Sequence, residues 1–351
     1  MSRPIVSIFQ FHVLRKQTAI LRSKQLLLFI LLCVVQIIVI ILLARIVYRK
    51  TNKFTHFSHK VWIEPMIGNS LQFPIIPHLQ YYYEPAPFFE RVQELSFLGL
   101  QGTVIQTFNA DGLNERYEYP IKKSDGVYRI VTVGDSFTEG LFVDTKDNYP
   151  EQLEDILNNS LQCQTYSKFE VINLGVSGYD MQYSLERFRK KGVVYRPDLV
   201  IYLTGEDDYN FSNELLRGKM LAYDQALQPI MGDTLEAQIA SWTAAYKELS
   251  QEQNDVQNKM IQSELGYLTE FINIVPDRLL IMPYQQFNPL LEKKIKQLIS
   301  FHSNAYYVPF EKDYDRFIDF HPTPVGHTYL ARTLYKNIAR LGFISCDETN
   351  K

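Results

Sequence analysis

After the turn signal Asp125-Gly126 the chain alternates short apolar runs with amphipathic stretches, and this alternation limits the fold more than any other feature. Such a pattern is the signature of a parallel β-sheet with crossover helices. Four strands are read at 128–133, 170–174, 199–203 and 278–282, with a shorter fifth at 306–310. Between them Tyr149, Leu153 and Ile156 form one helical stripe. Met181, Leu185 and Phe188 form a second that stops at Gly192, and Leu291, Ile295 and Leu298 a third. Asn288-Pro289 and Thr323-Pro324 each place a capping residue before a proline, the order expected at a helix start. Leu330, Leu334, Ile338 and Leu341 are the buried face of the last helix.

The alternation is interrupted at about 210–275. Leu235, Ile239, Trp242, Tyr246 and Leu249 recur at helical spacing, and Ile261, Leu265, Leu268 and Ile272 repeat it, which predicts two helices packed as a hairpin. A lid, a dimer contact and an inert elaboration all fit such an insertion. Upstream, residues 49–120 lack a sustained period but carry Pro65, Pro74, Pro77, Pro85, Pro87 and the aromatics Tyr81, Tyr82, Tyr83, Phe88 and Phe89. Proline at that density breaks helices, so the stretch reads as an ordered linker and lead-in. Its aromatics either pack on the domain or line a groove, packing being the commoner outcome.

From Leu26 to Ala44 the chain is apolar except for Gln36, long enough as a helix to reach about 28 Å, close to the hydrocarbon thickness of a bilayer. Arg22, Lys24, Arg45, Arg49 and Lys50 flank this run. It reads as a retained membrane anchor at 25–48, with 1–24 a short tail, because the apolar region is too long for a signal peptide and no cleavage pattern follows Leu43. Basic residues balance on the two sides and leave orientation open. One domain is then expected at 121–343, followed by a tail at 344–351.

Hydrophobic residues make up 46% of the chain, enough for a sizeable core. A net charge of -3 with acids and bases intermixed offers no field for a polyanion, which argues against nucleic acid as a partner. Cys33, Cys163 and Cys346 form no metal cluster; Cys163 and Cys346 pair only in an oxidising compartment, and two free thiols fit the sequence equally well. No P-loop, dinucleotide fingerprint or metal-ligand spacing occurs, and no cofactor is expected.

Three strands end in glycine turns, at Gly134, Gly175 and Gly205, all on the carboxyl edge of the sheet where open α/β folds bind ligands. Ser136, in Gly134-Asp135-Ser136, presents a hydroxyl there as a candidate nucleophile. A nucleophilic serine needs a base and a group to orient it. The segment Asp315-Arg316-Phe317-Ile318-Asp319-Phe320-His321-Pro322 supplies both, with His321 as base, Asp319 as orienting carboxylate and Asp315 in reserve. Ser177 is a rival nucleophile by residue type, but it lacks the Gly-x-Ser-x-Gly elbow and is better explained by its turn. His327 reads as a residue at the start of the last helix, in contact with the sheet.

Over roughly 109–341 the chain resembles the SGNH hydrolases, also called GDSL esterases and lipases. Gly134-Asp135-Ser136 resembles their first block, Asn173-Leu174-Gly175-Val176-Ser177-Gly178 the second, and His321-Pro322 the last. The resemblance implies a three-layer α/β/α sandwich around a five-stranded parallel sheet, Ser136 as nucleophile and Gly175 N–H as oxyanion donor. Residues 109–119 resemble the lead-in of membrane-anchored bacterial members, which implies a domain on the periplasmic side of the inner membrane. Two departures stand out. The third-block asparagine, whose amide completes the oxyanion hole, is replaced in Gly205-Glu206-Asp207-Asp208 by Asp207. As a carboxylate Asp207 opposes a developing oxyanion, and as a neutral acid it donates to one. The family's aspartate often lies three residues before the histidine, where this chain has Ile318; Asp319 resembles a variant spacing. The implied activity is ester hydrolysis or O-acyl transfer through an acyl-enzyme, on an acylated envelope glycan or a lipid ester. The opposing expectation, from the acidic third block, is a non-catalytic envelope protein that keeps the fold as a glycan-binding or scaffold module.

Overall fold

Val, Ile and Leu dominate the central runs, and strands of that composition are stable only when covered on both faces. A computed structural model of the protein describes Gln36, Val39, Lys53, Phe54, Leu79, Gln80 and residues 82–160, 163–210, 212–231, 235–251 and 254–346. Residues 1–53 and 54–351 form separate compact units. In the first, Gln36 and Val39 are helical; the rest of the apolar run at 26–44 and the tail at 1–24 lie outside the described residues. Among the described residues no helix is long and apolar enough to cross a membrane.

The second unit opens with an antiparallel pair, β1 (Glu90–Glu94) and β2 (Thr103–Thr107). The main sheet consists of β3 (Val127–Val133), β4 (Lys168–Asn173), β5 (Leu199–Thr204), β6 (Leu279–Pro283) and β7 (Ala305–Tyr307). Its order is β4-β3-β5-β6-β7 and every pair is parallel. The fifth strand is shorter than the predicted 306–310, ending at Tyr307.

Side chains alternate between two apolar layers. On one face Val131, Val133, Ile172, Val200, Tyr202 and Ile281 pack with α3 (Met181–Arg187), α7 (Asn254–Ile274) and α8 (Pro289–Ile299). On the other, Ile130, Val171, Ile201, Leu203 and Leu280 meet α2 (Tyr149–Ser160) and α9 (Pro324–Arg340). The result is a three-layer sandwich. Cys163 and Cys346 form a disulfide with Cα atoms 4.4 Å apart.

The insertion differs from the predicted hairpin. Among its described residues it holds three helices: α5 (Asn213–Met231), α6 (Leu235–Ser250) and α7. Helix α6 pairs with α5, through Lys219 to Glu248 at 2.6 Å and the Tyr223 hydroxyl donating to Glu248 at 2.9 Å. Helix α7 instead buries Leu268, Phe271 and Ile272 beside the sheet. The missed helix, α5, contains Gly218 and Pro229, which depress local helical preference; pairing with α6 overrides that preference.

Part of the stretch read as a linker is built into the domain. Tyr82 and Tyr83 are buried with Val176, Tyr179 and Tyr183. Glu84, 1% exposed, pairs with the fully buried Arg187 of α3 at 2.9 Å and accepts from the Tyr82 hydroxyl at 2.7 Å. Asn109 Oδ1 accepts from the N–H of Asp111 and of Leu113, both at 3.0 Å, which winds the lead-in into a compact turn. Gly112 (φ +68) must be glycine there, because a Cβ would stand 2.4 Å from the Pro85 carbonyl oxygen.

Candidate active site

Strand β3 ends at Gly134, whose φ of +154° and contact with Leu203 O, 2.5 Å from an added Cβ, leave no room for a side chain. Asp135 then caps α1 (Ser136–Glu139), its carboxylate accepting from Phe137 N–H at 2.8 Å. This turn puts Ser136 in the first turn of a short helix, where backbone N–H groups lack helical partners.

The base arrives from the segment between β7 and α9. Phe317 N–H donates to His321 O at 2.8 Å and Phe320 N–H to Phe317 O at 3.0 Å, with Phe320 in a left-handed conformation (φ +73). In this tight turn Asp319 Oδ2 lies 2.9 Å from His321 Nδ1 and His321 Nε2 lies 2.8 Å from Ser136 Oγ. The aspartate selects the tautomer with hydrogen on Nδ1, which leaves the Nε2 lone pair facing the serine hydroxyl. Phe137 and Phe142 flank the imidazole at 5.1 and 5.3 Å between ring centroids. Asp315, the reserve carboxylate, instead accepts from the Thr323 hydroxyl at the base of the turn. Ser177 donates its hydroxyl to Glu139 and has no histidine partner among the described residues.

The oxyanion side departs from expectation at Gly175. Its N–H donates to Asn173 Oδ1 at 2.9 Å, and an added Cβ would stand 2.3 Å from Glu139 N, so this glycine is the seat on which α1 rests. In the same turn Val176 N–H donates to Gly134 O at 3.1 Å and Ser177 N–H to Glu139 Oε2 at 3.1 Å. Among the described residues the N–H groups of Ser136 and of Gly178 (φ +77) have no acceptor. Gly178 was legible as the closing glycine of the second block, but only the hydrogen bonds separate it from Gly175.

Asp207 opens α4 (Asp207–Asn210). Its side chain is exposed; partial desolvation and the neighbouring Glu206 carboxylate raise its pKa, and its carboxylate accepts no hydrogen bond from the described residues. Asp208 turns inward to accept from the Thr204 hydroxyl at 2.7 Å, Gly205 N–H at 3.0 Å and the Tyr202 hydroxyl at 3.0 Å; burial holds its pKa well above the usual range. Behind the nucleophile, burial pushes Asp135 up to about 6.

Sequence reasoning missed Tyr284. Its hydroxyl donates to Asp135 Oδ2 at 2.8 Å and its ring stacks on Phe137, centroids 3.7 Å apart, so it supports the residues on both sides of Ser136. The available signal was its place just beyond the end of β6, on the same sheet edge as Gly134 and Gly205. His327 is fully buried; its Nδ1 accepts from Tyr149 N–H at 3.2 Å, and burial lowers its pKa to about 3.

A parallel α/β sheet carrying a Ser–His–Asp chain on its carboxyl edge defines the class as α/β proteins with a serine-hydrolase constellation. More narrowly, residues 132–329 match the model of the GDSL-like lipase/acylhydrolase family, and the chain belongs to that family. No curated protein sequence matches it. Its fold is similar to that of a lipase/acylhydrolase from Enterococcus faecalis (16% identity, 63% of this chain and 100% of that one, TM-score 0.39). It is also similar to a catalytic mutant of Axe2, an acetylxylan esterase from Geobacillus stearothermophilus (17%, 64% and 97%, 0.37). A third similar structure is the psychrotrophic esterase EstA from Pseudoalteromonas sp. (14%, 61% and 97%, 0.39).

Proposed function

We propose that this protein is a membrane-anchored serine ester hydrolase or O-acyltransferase that works through an acyl-enzyme, with its catalytic domain in the bacterial periplasm. The observation that carries the reading is the continuous chain Asp319–His321–Ser136, with contacts of 2.9 and 2.8 Å. Ser136 Oγ attacks the ester carbonyl while its proton passes to His321 Nε2, and Asp319 stabilises the imidazolium that forms. Ser136 N–H and Gly178 N–H donate to the carbonyl oxygen as it becomes an oxyanion. Collapse breaks the bond to the alcohol, which leaves with the proton from His321. Water or a second hydroxyl, deprotonated by His321, then takes the acyl group from Ser136.

The apolar run from Leu26 to Ala44 supports anchoring. The Cys163–Cys346 disulfide and the likeness of residues 109–119 to anchored bacterial proteins support an oxidising compartment outside the cytoplasm. An acylated envelope glycan or a lipid ester is the substrate class this placement favours. The second reading, a degraded site in a scaffold or glycan-binding module, draws on Asp207, which stands where the third block carries an amide.

Fluorophosphonate labelling of the wild type, Ser136→Ala and Asp207→Asn separates the two. The enzyme reading expects labelling that Ser136→Ala abolishes and that Asp207→Asn accelerates about tenfold or more, as a restored donor would. An unlabelled wild type, together with no esterase turnover, favours the scaffold.

A further inference from the structure

The Tyr83 hydroxyl donates to the carbonyl oxygen of Ser177. That carbonyl and the N–H of Gly178 belong to one planar peptide unit and point to opposite sides of it. Whatever fixes Ser177 C=O therefore fixes the direction of Gly178 N–H. We propose that Tyr83 is a positioning residue: by holding the Ser177–Gly178 peptide plane it aims the Gly178 N–H at the oxyanion that forms on Ser136 acylation. The inference rests on the serine-esterase reading above.

Tyr83 is built to hold an orientation. It is 2% exposed, and its ring stands edge-on to Tyr179 (centroids 5.2 Å, 79°) and to Tyr183 (6.1 Å, 80°). Arg217 of α5 lies over the ring, its guanidinium carbon 4.0 Å from the centroid. The Tyr179 hydroxyl donates to Tyr83 O, which ties down the backbone as well. Burial raises the phenol pKa, so the hydroxyl keeps the proton it donates. On the other side of the turn, Glu139 accepts from Ser177 N–H and the Ser177 hydroxyl, and Glu139 is itself paired with Arg91 at 2.8 Å. The peptide planes before and after Ser177 are thus each held by a buried side chain, one from the lead-in and one from the nucleophile helix. A floppy donor must be ordered during the reaction, whereas a fixed one is already in place, and that difference appears in the transition state.

Tyr83→Phe removes a single oxygen and keeps the ring packing. Measured on the full-length protein with p-nitrophenyl acetate and per Ser136 titrated by fluorophosphonate, kcat is expected to fall about tenfold or more, as for a misplaced oxyanion donor. KM should stay within about twofold, and the fluorophosphonate labelling rate should fall with kcat. The melting temperature, recorded on the same sample, separates this from general loosening. A kcat within twofold of wild type, or a fall carried by KM alone, overturns the inference while leaving the esterase reading intact. A wild type without Ser136-dependent turnover overturns both. Should Tyr83→Phe fail to fold, Tyr179→Phe, which removes the hydroxyl that ties down the Tyr83 backbone and keeps the ring packing, serves as the second variant. It is expected to lower kcat with KM unchanged, and wild-type kcat in it overturns the inference.

Discussion

At the carboxyl edge of the sheet, reactive side chains are delivered by strands whose order is written in apolar residues. In segment 79–119, positions are set by polar side chains that reach backbone groups and buried charges. Val131, Val133, Ile201 and Leu203 place their turns through packing on two faces. Asn109, Glu84 and Tyr83 act through a few individual hydrogen bonds and ion pairs. The contrast teaches that the site has two kinds of support. One tolerates exchange of similar apolar residues, while the other depends on individual atoms.

The largest effects are expected at the edge. Ser136→Ala and His321→Ala should each lower turnover by at least about 10³-fold, and the double variant should be no slower than the worse single. Additive losses in steady-state assays would show that the two residues do not act as a unit. Glu84→Ala tests the other kind of support. It leaves Arg187 buried without its partner and should cost roughly 3–5 kcal/mol in urea unfolding. An unchanged midpoint would return residues 79–119 to the status of a linker.

A smaller, pH-dependent effect is expected where the lead-in meets α2. Glu154 accepts from the Tyr119 hydroxyl at 2.8 Å and Val171 N–H at 2.7 Å, and burial pushes its pKa up to about 7 from 4.5. Because the folded state holds this proton more tightly, the associated stability is present in full below about pH 4.5 and is lost as pH rises through 7. Glu154→Gln, which mimics the protonated form, should therefore match wild type near pH 4.5 and exceed it by about 3 kcal/mol above pH 8. Parallel melting curves at both pH values would refute this.

The same division explains what the sequence discloses. Continuous runs such as 199–203 announce strands because burial on both faces demands them. Asp319 and His321 were identifiable because a carboxylate two residues from an imidazole is a local feature. Gly175 and Gly178 are alike in sequence, and only the bond from Gly175 N–H to Asn173 tells them apart. Tyr83 is separated from Ser177 by 94 residues, so no local pattern connects them. Helix α5 was hidden by Gly218 and Pro229, because its stability comes from a partner helix rather than from its own composition.

The bond between Cys163 and Cys346 spans 183 positions. Ser136 lies before this covalent ring, and His321 lies within it. If a protease severed one peptide bond in the 210–275 insertion, the piece bearing the nucleophile and the piece bearing the base would still be one molecule, joined through sulfur rather than through the main chain. In the extracytoplasmic placement proposed above, that would be a form of damage tolerance, and it vanishes when the bond is reduced.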